Sequence, residues 1–585
     1  MMVLSSSMAS QSVYVDWKGN PIINRKGNGV KAATFTCLTA AMLSSVSLSI
    51  SLNLVTYLQQ TLHMGVARAS TTITNFVGLS NGFSLIGAFI SDSYITRFKT
   101  IIISGLVELL GLGLLTAQAS LPSLHPPTCK INSMSRAGTC EEVSGYKTVF
   151  FFVSLYLYAL GEGCTRASTP SLGGDQFDDD DNEGKRQKAS YFNWYTFGFS
   201  SGIFIGATFI VWTQNVKGWV YGFGLCALII LLGIIILASG FCFIRNCVPQ
   251  GSPLTRIFQV FVAAFKNRKL SISTSDGELF KSQTTQEDAH NEQLIHTKGC
   301  LRFLDKALII DEEMPIDDNQ RLQMLNKVEE TKIIIRMIPI FLCSIISNMP
   351  LVLLLTLSVQ QGTTMNTKVG NINVPPATLV VIPVTFQMVT LVIYDRWIIP
   401  FLQRITGYTN GITPLWRIGI GFFFIPVSTF IAAFVEMRRM RILEEHVGSV
   451  DSNGVVPMSV MWLGFQFFVL GICDATSFVG LLDFFNTEIS RGMKSIGSAI
   501  FFSIIGFSSF LGTIMIDIIN TSTRKNNGMG WLEGNNLNAH TINLDKFYWL
   551  ISIIGILSFL NYIFWANKYV YRHDQRLDSS NNSTN

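Results

Sequence analysis

Twelve apolar runs, each long enough to cross a bilayer, decide what this 585-residue chain can become. They lie near residues 34–58, 71–91, 99–118, 148–166, 190–212 and 219–243, then 333–358, 376–396, 415–435, 457–482, 494–519 and 547–567. About 20 apolar residues in a helix span the hydrocarbon core, where the backbone must satisfy its own hydrogen bonds. The expected fold class is therefore an all-α membrane protein with twelve transmembrane helices.

The charge content agrees. Only 14% of residues are charged, where a soluble chain carries about 25%. Forty-three Phe suit a lipid-facing surface with interfacial rings. The net charge of +5 is small and its cations sit between apolar runs, a topology signal with no nucleic-acid footprint. The lipid bilayer and a small-molecule solute are the expected partners, with no nucleic acid among them.

The runs fall into two groups of six. Residues 1–33 read as an N-terminal segment, 34–244 as one six-helix half, and 245–332 as a hydrophilic linker. Residues 333–568 read as the second half and 569–585 as a tail. Two six-span halves about a central pathway is the major-facilitator plan. Within the linker, Leu254–Phe265 and Arg302–Ile310 have the pattern of amphipathic surface helices. Ser271, Ser273 and Ser275 beside Lys269 form a candidate target for a regulatory kinase, with a flexible tether as the alternative. No signal-peptide pattern precedes the first span. Arg97, Lys99, Lys185, Arg186, Lys188, Arg396, Arg404, Arg491 and Lys494 fall on loops of the N-terminal side, as do the tail's Lys568, Arg572 and Arg576. The positive-inside rule makes that side cytoplasmic, with both termini there. Arg438, Arg439 and Arg441 depart from the pattern. Plasma membrane and vacuolar membrane both remain open.

Most of the ten Cys lie in apolar runs, where they read as small packing residues. Cys129 and Cys140 share a polar loop; a disulfide could close it if it is extracellular, and two separate thiols is the alternative. No nucleotide-binding glycine loop, metal-ligand spacing or nucleophile triad stands out, so neither an enzyme nor a cofactor is expected. The acidic run Asp178–Asp181 reads as a solvated loop.

Between the second and third spans stands Gly87-Ala-Phe-Ile-Ser-Asp92-Ser-Tyr-Ile-Thr-Arg97-Phe-Lys99-Thr100. A glycine that permits close helix approach, then an acid and a base about a tight turn, can latch one conformation. Further stretches follow in order: Asn53–Leu58, Thr74–Gly78, Gly174-Asp-Gln-Phe-Asp178, Tyr191-Phe-Asn-Trp-Tyr195, Arg302–Ala307 and Tyr394-Asp-Arg396 with Pro400. Thr406-Gly407, Gly411–Pro414, Arg417, Asp483–Phe485, Glu488, Met493 and Lys494 complete the series. Together, from Val15 to about Lys568, the chain resembles the plant nitrate/peptide transporter family, the proton-dependent oligopeptide transporter branch of the major facilitator superfamily. The resemblance implies a major-facilitator fold, alternating access and a central cavity. It also implies, as a rule, proton-driven uptake of nitrate, peptides, hormones or specialised metabolites.

The chain departs from that family on its first helix. Where the family has E-x-x-E-R, the ungapped positions hold Ala40, Ala41, Met42, Leu43 and Ser44. The fourth span keeps a cation, Arg166, where the family has Lys. Glu162 stands one helical turn before it, and Asp474 matches a tenth-span position that often holds Glu. Arg166, Glu162 and Asp474 form a candidate coupling site, since ionisable groups inside spans are expensive; the alternative is that Glu162 only neutralises Arg166. Glu108 and Asp517 are further acids that could sit near helix ends. Ser44, Ser47 and Ser51 share a helical face and offer either a neutral hydrogen-bonding wall or close helix packing. Asn348 precedes Pro350, a candidate hinge or a static kink. Leu351 stands where some nitrate-transporting members carry His, which points away from nitrate.

The expected function is a carrier of an organic solute, a hormone or a specialised metabolite that could be glycosylated, with proton coupling altered or absent. A proton symporter using Asp474 or Glu162 is one alternative, and a solute-binding receptor without flux is another.

Overall fold

A computed structural model describes residues 14–16, 20, 29–64, 66–126, 143–177, 182–249, 251–268, 301–308, 318–369, 372–373, 376–406, 408, 411–445, 456–489, 493–527, 530–532 and 543–571. Among them, twelve helices are long and apolar enough to cross a membrane. The first half comprises α1 (Gly29–Gln60), α2 (Val66–Ser93), α3 (Arg97–Ser120), α4 (Tyr146–Gly174), α5 (Asn182–Ile205) and its short continuation α6 (Val211–Val216), then α7 (Trp219–Ser239). The linker contributes α8 (Pro253–Lys266) and the single turn α9 (Arg302–Asp305). The second half comprises α10 (Asp318–Thr363), α11 (Val381–Ile393) with its continuation α12 (Ile399–Thr406), α13 (Pro414–Glu445), α14 (Leu463–Glu488), α15 (Lys494–Asn527) and α16 (Leu544–Lys568).

The helices outrun the apolar patterns that announce them. The fifth span starts at Asn182, the seventh at Asp318, and the eighth continues to Thr406. Hydropathy marks the part of a helix that meets lipid; the polar turns beyond it keep their own backbone hydrogen bonds in water. Arg302–Ile310 is a correction: the α-helix stops at Asp305 and a 3-10 turn follows at Lys306–Leu308. Wide π-turns at Gly206–Ile210 and Tyr394–Ile398 join α5 to α6 and α11 to α12 without breaking the spans. Pro350 and Pro339 both sit inside α10, and Pro350 is buried. Cys129, Cys140, Lys269, Ser271, Ser273, Ser275 and Asp178–Asp181 lie outside the described residues.

Apolar residues bind the bundle. One core joins Val46, Tyr57, Phe76, Leu112, Phe151 and Phe223 within the first half. Another joins Phe192 and Tyr195 of the first half to Phe422, Phe485 and Phe502 of the second. Three two-stranded ribbons close the ends. Tyr14–Val15 (β1) pairs antiparallel with Asn246–Cys247 (β2), and Met365–Asn366 (β3) pairs parallel with Val456–Ser459 (β6). Lys368–Val369 (β4) pairs with Ile372–Asn373 (β5).

Candidate functional site

Twelve spans put the start of the first and the end of the last on one side of the bundle, and on that side the halves are clasped. Gly87 lets α2 lie against α4, because a Cβ there would run into the backbone of Cys164. The helices then end in a buried ion cluster. The Arg97 guanidinium donates to Asp92 at 2.9 Å and to Asp175 of the Gly-Asp-Gln-Phe-Asp stretch. From the other half, the Ser495 hydroxyl accepts from Arg97 Nε at 2.8 Å, and the Ile496 amide donates to Asp92 at 3.1 Å. Lys494 Nζ stands 3.3 Å from Asp175. Ser171 at the end of α4 donates to the Lys494 carbonyl at 2.9 Å. Arg97, Asp92, Asp175 and Lys494 are each at most 3% exposed, so water screens none of these attractions.

A second junction explains three of the quoted stretches together. Asn193, of Tyr191–Tyr195, donates to Asp395 of Tyr394-Asp-Arg396 at 2.9 Å and accepts from Arg417 at 2.8 Å. Ser190 adds a donor to Asp395 at 3.1 Å. Arg417 also donates to the Ala475 carbonyl and lies over the Tyr394 ring. Deeper in the bundle, Ser200 donates to Gln387 and Ser84 reaches the Ala499 carbonyl.

Arg166 lies deeper, on α4. It pairs with Glu162 at 2.5 Å on its own helix and donates to Asn81 of α2 at 3.2 Å and to Ser47 of α1. Phe502 of α15 faces the guanidinium at 5.7 Å. The second oxygen of Glu162 accepts from Ser80 at 2.7 Å. Three helices of one half thus satisfy the pair, and its side-chain exposures are 19% for Arg166 and 4% for Glu162.

Asp474 does not join them. It lies on α14, and among the described residues its carboxyl has neither an ion pair nor a hydrogen bond. The three hydroxyls of α1 also separate. Ser47 meets Arg166, Ser44 donates to the Phe199 carbonyl across the α1–α5 contact at 2.8 Å, and Ser51 bonds back to the Ser47 carbonyl at 2.9 Å. Asn348 donates to the Ser344 carbonyl within α10. The buried hydroxyls of Ser344 and Ser347 beside it have no protein partner.

Glu108 is not near a helix end. It sits midway along α3, wholly buried, and Gly161 allows α3 and α4 to touch there: a Cβ on Gly161 would lie 2.5 Å from the Glu108 nitrogen. Neither carboxyl oxygen has a hydrogen-bond partner. Tyr158, whose hydroxyl is also unpartnered, lies within electrostatic reach of both Glu108 and Glu162. Asp517, in contrast, is exposed.

The departure of Arg439 from the charge pattern is structural. It is wholly buried and pairs with Glu436 at 2.6 Å, and Glu436 accepts from Gln361 at 2.6 Å. Sequence reasoning singled out Asp92 and Arg97 as a latch but gave no place in it to Asp175, Asn193, Asp395, Arg417 or Lys494. Their signal was present as ordered motifs, without the register that brings them together.

The comparisons with known proteins agree with this architecture. The model of the POT family, PTR2, matches residues 98–532. Protein NRT1/ PTR FAMILY 4.6 of Arabidopsis thaliana is 35% identical over 578 residues, covering 96% of this chain and 97% of that protein. Protein NRT1/ PTR FAMILY 4.5 of the same plant is 37% identical, covering 95% and 96%. Among solved structures, the POT family transporter PepTSo aligns with a TM-score of 0.58 at 15% identity, over 92% of this chain and 98% of that one. A POT family transporter in complex with 5-aminolevulinic acid aligns at 0.57 and 10% identity, over 92% and 96%. With a family model covering most of its length and relatives matched nearly end to end, this chain belongs to the POT family and is a multi-pass membrane transporter of the major-facilitator fold.

Proposed function

We propose that the protein carries an organic solute by alternating access, with proton coupling altered or absent. The observation that carries this reading is the self-contained pair of Arg166 and Glu162. The cation that the family resemblance places at the centre is neutralised on its own helix, and α1 meets it with the Ser47 hydroxyl rather than with charges. The one cation and one acid of this site are already committed to each other, where the family resemblance implies further acids on the first helix. Neutral hydroxyls at the charged pair, that of Ser47 among them, suit a hydroxyl-bearing hormone or glycoside better than an inorganic anion. On the positive-inside reading the clasped side is the cytoplasmic one.

The test is flux in oocytes, with nitrate, hormones and plant glycosides offered at mildly acidic and at neutral external pH. Organic-solute flux that ignores pH and a protonophore, at fixed membrane potential, is the expected result. Nitrate as the sole transported solute would overturn the assignment of solute class.

Asp474 supports a second reading, a proton symporter. Its carboxyl stands inside a span with neither a hydrogen bond nor an ion pair among the described residues, and acids so placed mark proton paths in transporters. Under this reading Asp474→Asn abolishes pH-driven accumulation and spares solute exchange; under the first it changes no pH dependence.

A further inference from the structure

The linker helix α8 shows two apolar faces, and the protein covers one of them. Its sequence Pro253-Leu-Thr-Arg-Ile-Phe-Gln-Val-Phe-Val-Ala-Ala-Phe-Lys266 starts with Ser252 as N-cap, accepting from the Thr255 amide, and Pro253 in the first turn. Val260 and Ala264 are buried against Leu304, Ala307 and Val328, and Arg256 pairs with Glu330 of α10 at 3.0 Å. That contact fixes how the helix is rotated. The other face carries Phe258, Phe261, Val262 and Phe265, at the i, i+3, i+4, i+7 spacing of one helical stripe. Phe258 is 69% exposed, Phe265 60% and Val262 49%, with Phe303 of α9 extending the patch at 44%. Phe261, Val262, Phe265, Lys266 and Phe303 line an open groove of about 590 Å³.

Charge identifies what covers this stripe. From Arg245 to Ser275 the chain has five cations and no acid. Arg256 is engaged by Glu330, but Lys266 and Arg268 are exposed at the end of the stripe, and Lys269 follows. The Arg268 guanidinium lies 4.3 Å from the Phe265 ring centre, so cation and aromatic stand side by side. Phe beside exposed Lys and Arg on a short helix is the composition that partitions into a headgroup layer, rings below and cations at the phosphates. The position is right as well: α8 follows the end of the sixth span after one short ribbon, so it begins at the level where the bundle leaves the bilayer.

We propose that α8 docks on the adjacent leaflet through Phe258, Phe261, Val262 and Phe265, with Lys266 and Arg268 selecting anionic lipid headgroups. Each such cation near an anionic surface contributes on the order of a fivefold preference. Because α8 is packed on α10, this contact ties the second half's entry helix to the membrane surface.

The experiment uses the full chain in nanodiscs doped with photoactivatable phosphatidylserine or photoactivatable phosphatidylcholine, with labelled peptides mapped by mass spectrometry. The 258–268 segment is expected to be labelled by both and on the order of tenfold more by the serine lipid, from two cations acting incompletely. Lys266→Glu with Arg268→Glu removes the preference. Phe258→Gln, Phe261→Gln and Phe265→Gln together remove the labelling while the spans stay labelled and thermal unfolding is unchanged, since these rings lie outside the core. Equal labelling by both lipids, no labelling of 258–268, or cross-links from it to a second copy would each overturn the proposal.

Discussion

Arg97, buried, and Arg166, partly buried, are both guanidinium groups inside the first half, yet their partners differ in a way that separates two jobs. Arg97 donates to Ser495 of the second half, and its acids also hold Ile496 and Lys494, so its network has to come apart if the halves separate on that side. Arg166 pairs inside its own helix and with neighbours of its own half, and the second half meets it with the Phe502 ring. One network reports on the relative position of the halves. The other can persist while they move.

The sharpest way to break this contrast is Arg97→Gln. Removing one member of a buried ion cluster costs about 3–5 kcal/mol. Here much of the loss should appear as unclasping: spin-label distances between the ends of α4 and α15 should lengthen, and the unfolding temperature should fall. Unchanged distances would mean that the second junction alone holds the halves. Arg166→Gln should leave those distances alone and reduce solute flux by about tenfold to a hundredfold, the loss of charged hydrogen bonds worth about 1.5–3 kcal/mol. Pairing it with Glu162→Gln should restore stability without restoring flux, because the abandoned acid is gone but the site is still uncharged. Recovery of flux in the double variant would show that the pair only balances charge.

Asn193→Ala tests the second junction. It removes the bridge between Asp395 and Arg417, at about 1–3 kcal/mol for the partners left buried, and should shift the same distances less than Arg97→Gln does. Ser47→Ala and Ser44→Ala sharpen the comparison on one helix. Each loses one hydrogen bond, about 1 kcal/mol. Ser47→Ala should raise the solute concentration for half-maximal flux several-fold, and Ser44→Ala should lower thermal stability with flux intact. Glu108→Gln should have the smallest effect on unfolding, under about 1 kcal/mol, since an amide replaces a carboxyl that has no hydrogen bond or ion pair to lose.

The span count and the Glu162–Arg166 turn were legible because both depend on spacing along one chain segment. A run of apolar residues and a pair four apart fix their own geometry. The Asp92–Arg97 pair was legible for the same reason. Asp175 and Lys494 were not, because 319 residues separate positions 175 and 494 and only the packing of α4 on α15 brings them together. The grouping of Asp474 with Arg166 rested on two family positions, and the fold leaves their side chains without a bond to each other. Glu108 was underrated for a different reason: hydropathy tells that an acid is inside a run, but only the close approach at Gly161 tells that it faces another helix.

The ribbon of Tyr14–Val15 with Asn246–Cys247, where Arg245 lies over the Tyr14 ring at 4.3 Å, also sets an order of manufacture. Its first strand precedes the first span, and its second follows the sixth. The ribbon therefore cannot form until that span has left the ribosome, and it needs nothing translated afterwards. The first half can be sealed as a finished unit while the linker and the remaining six spans are still being synthesised, so a nascent chain stopped at the linker should already hold this ribbon.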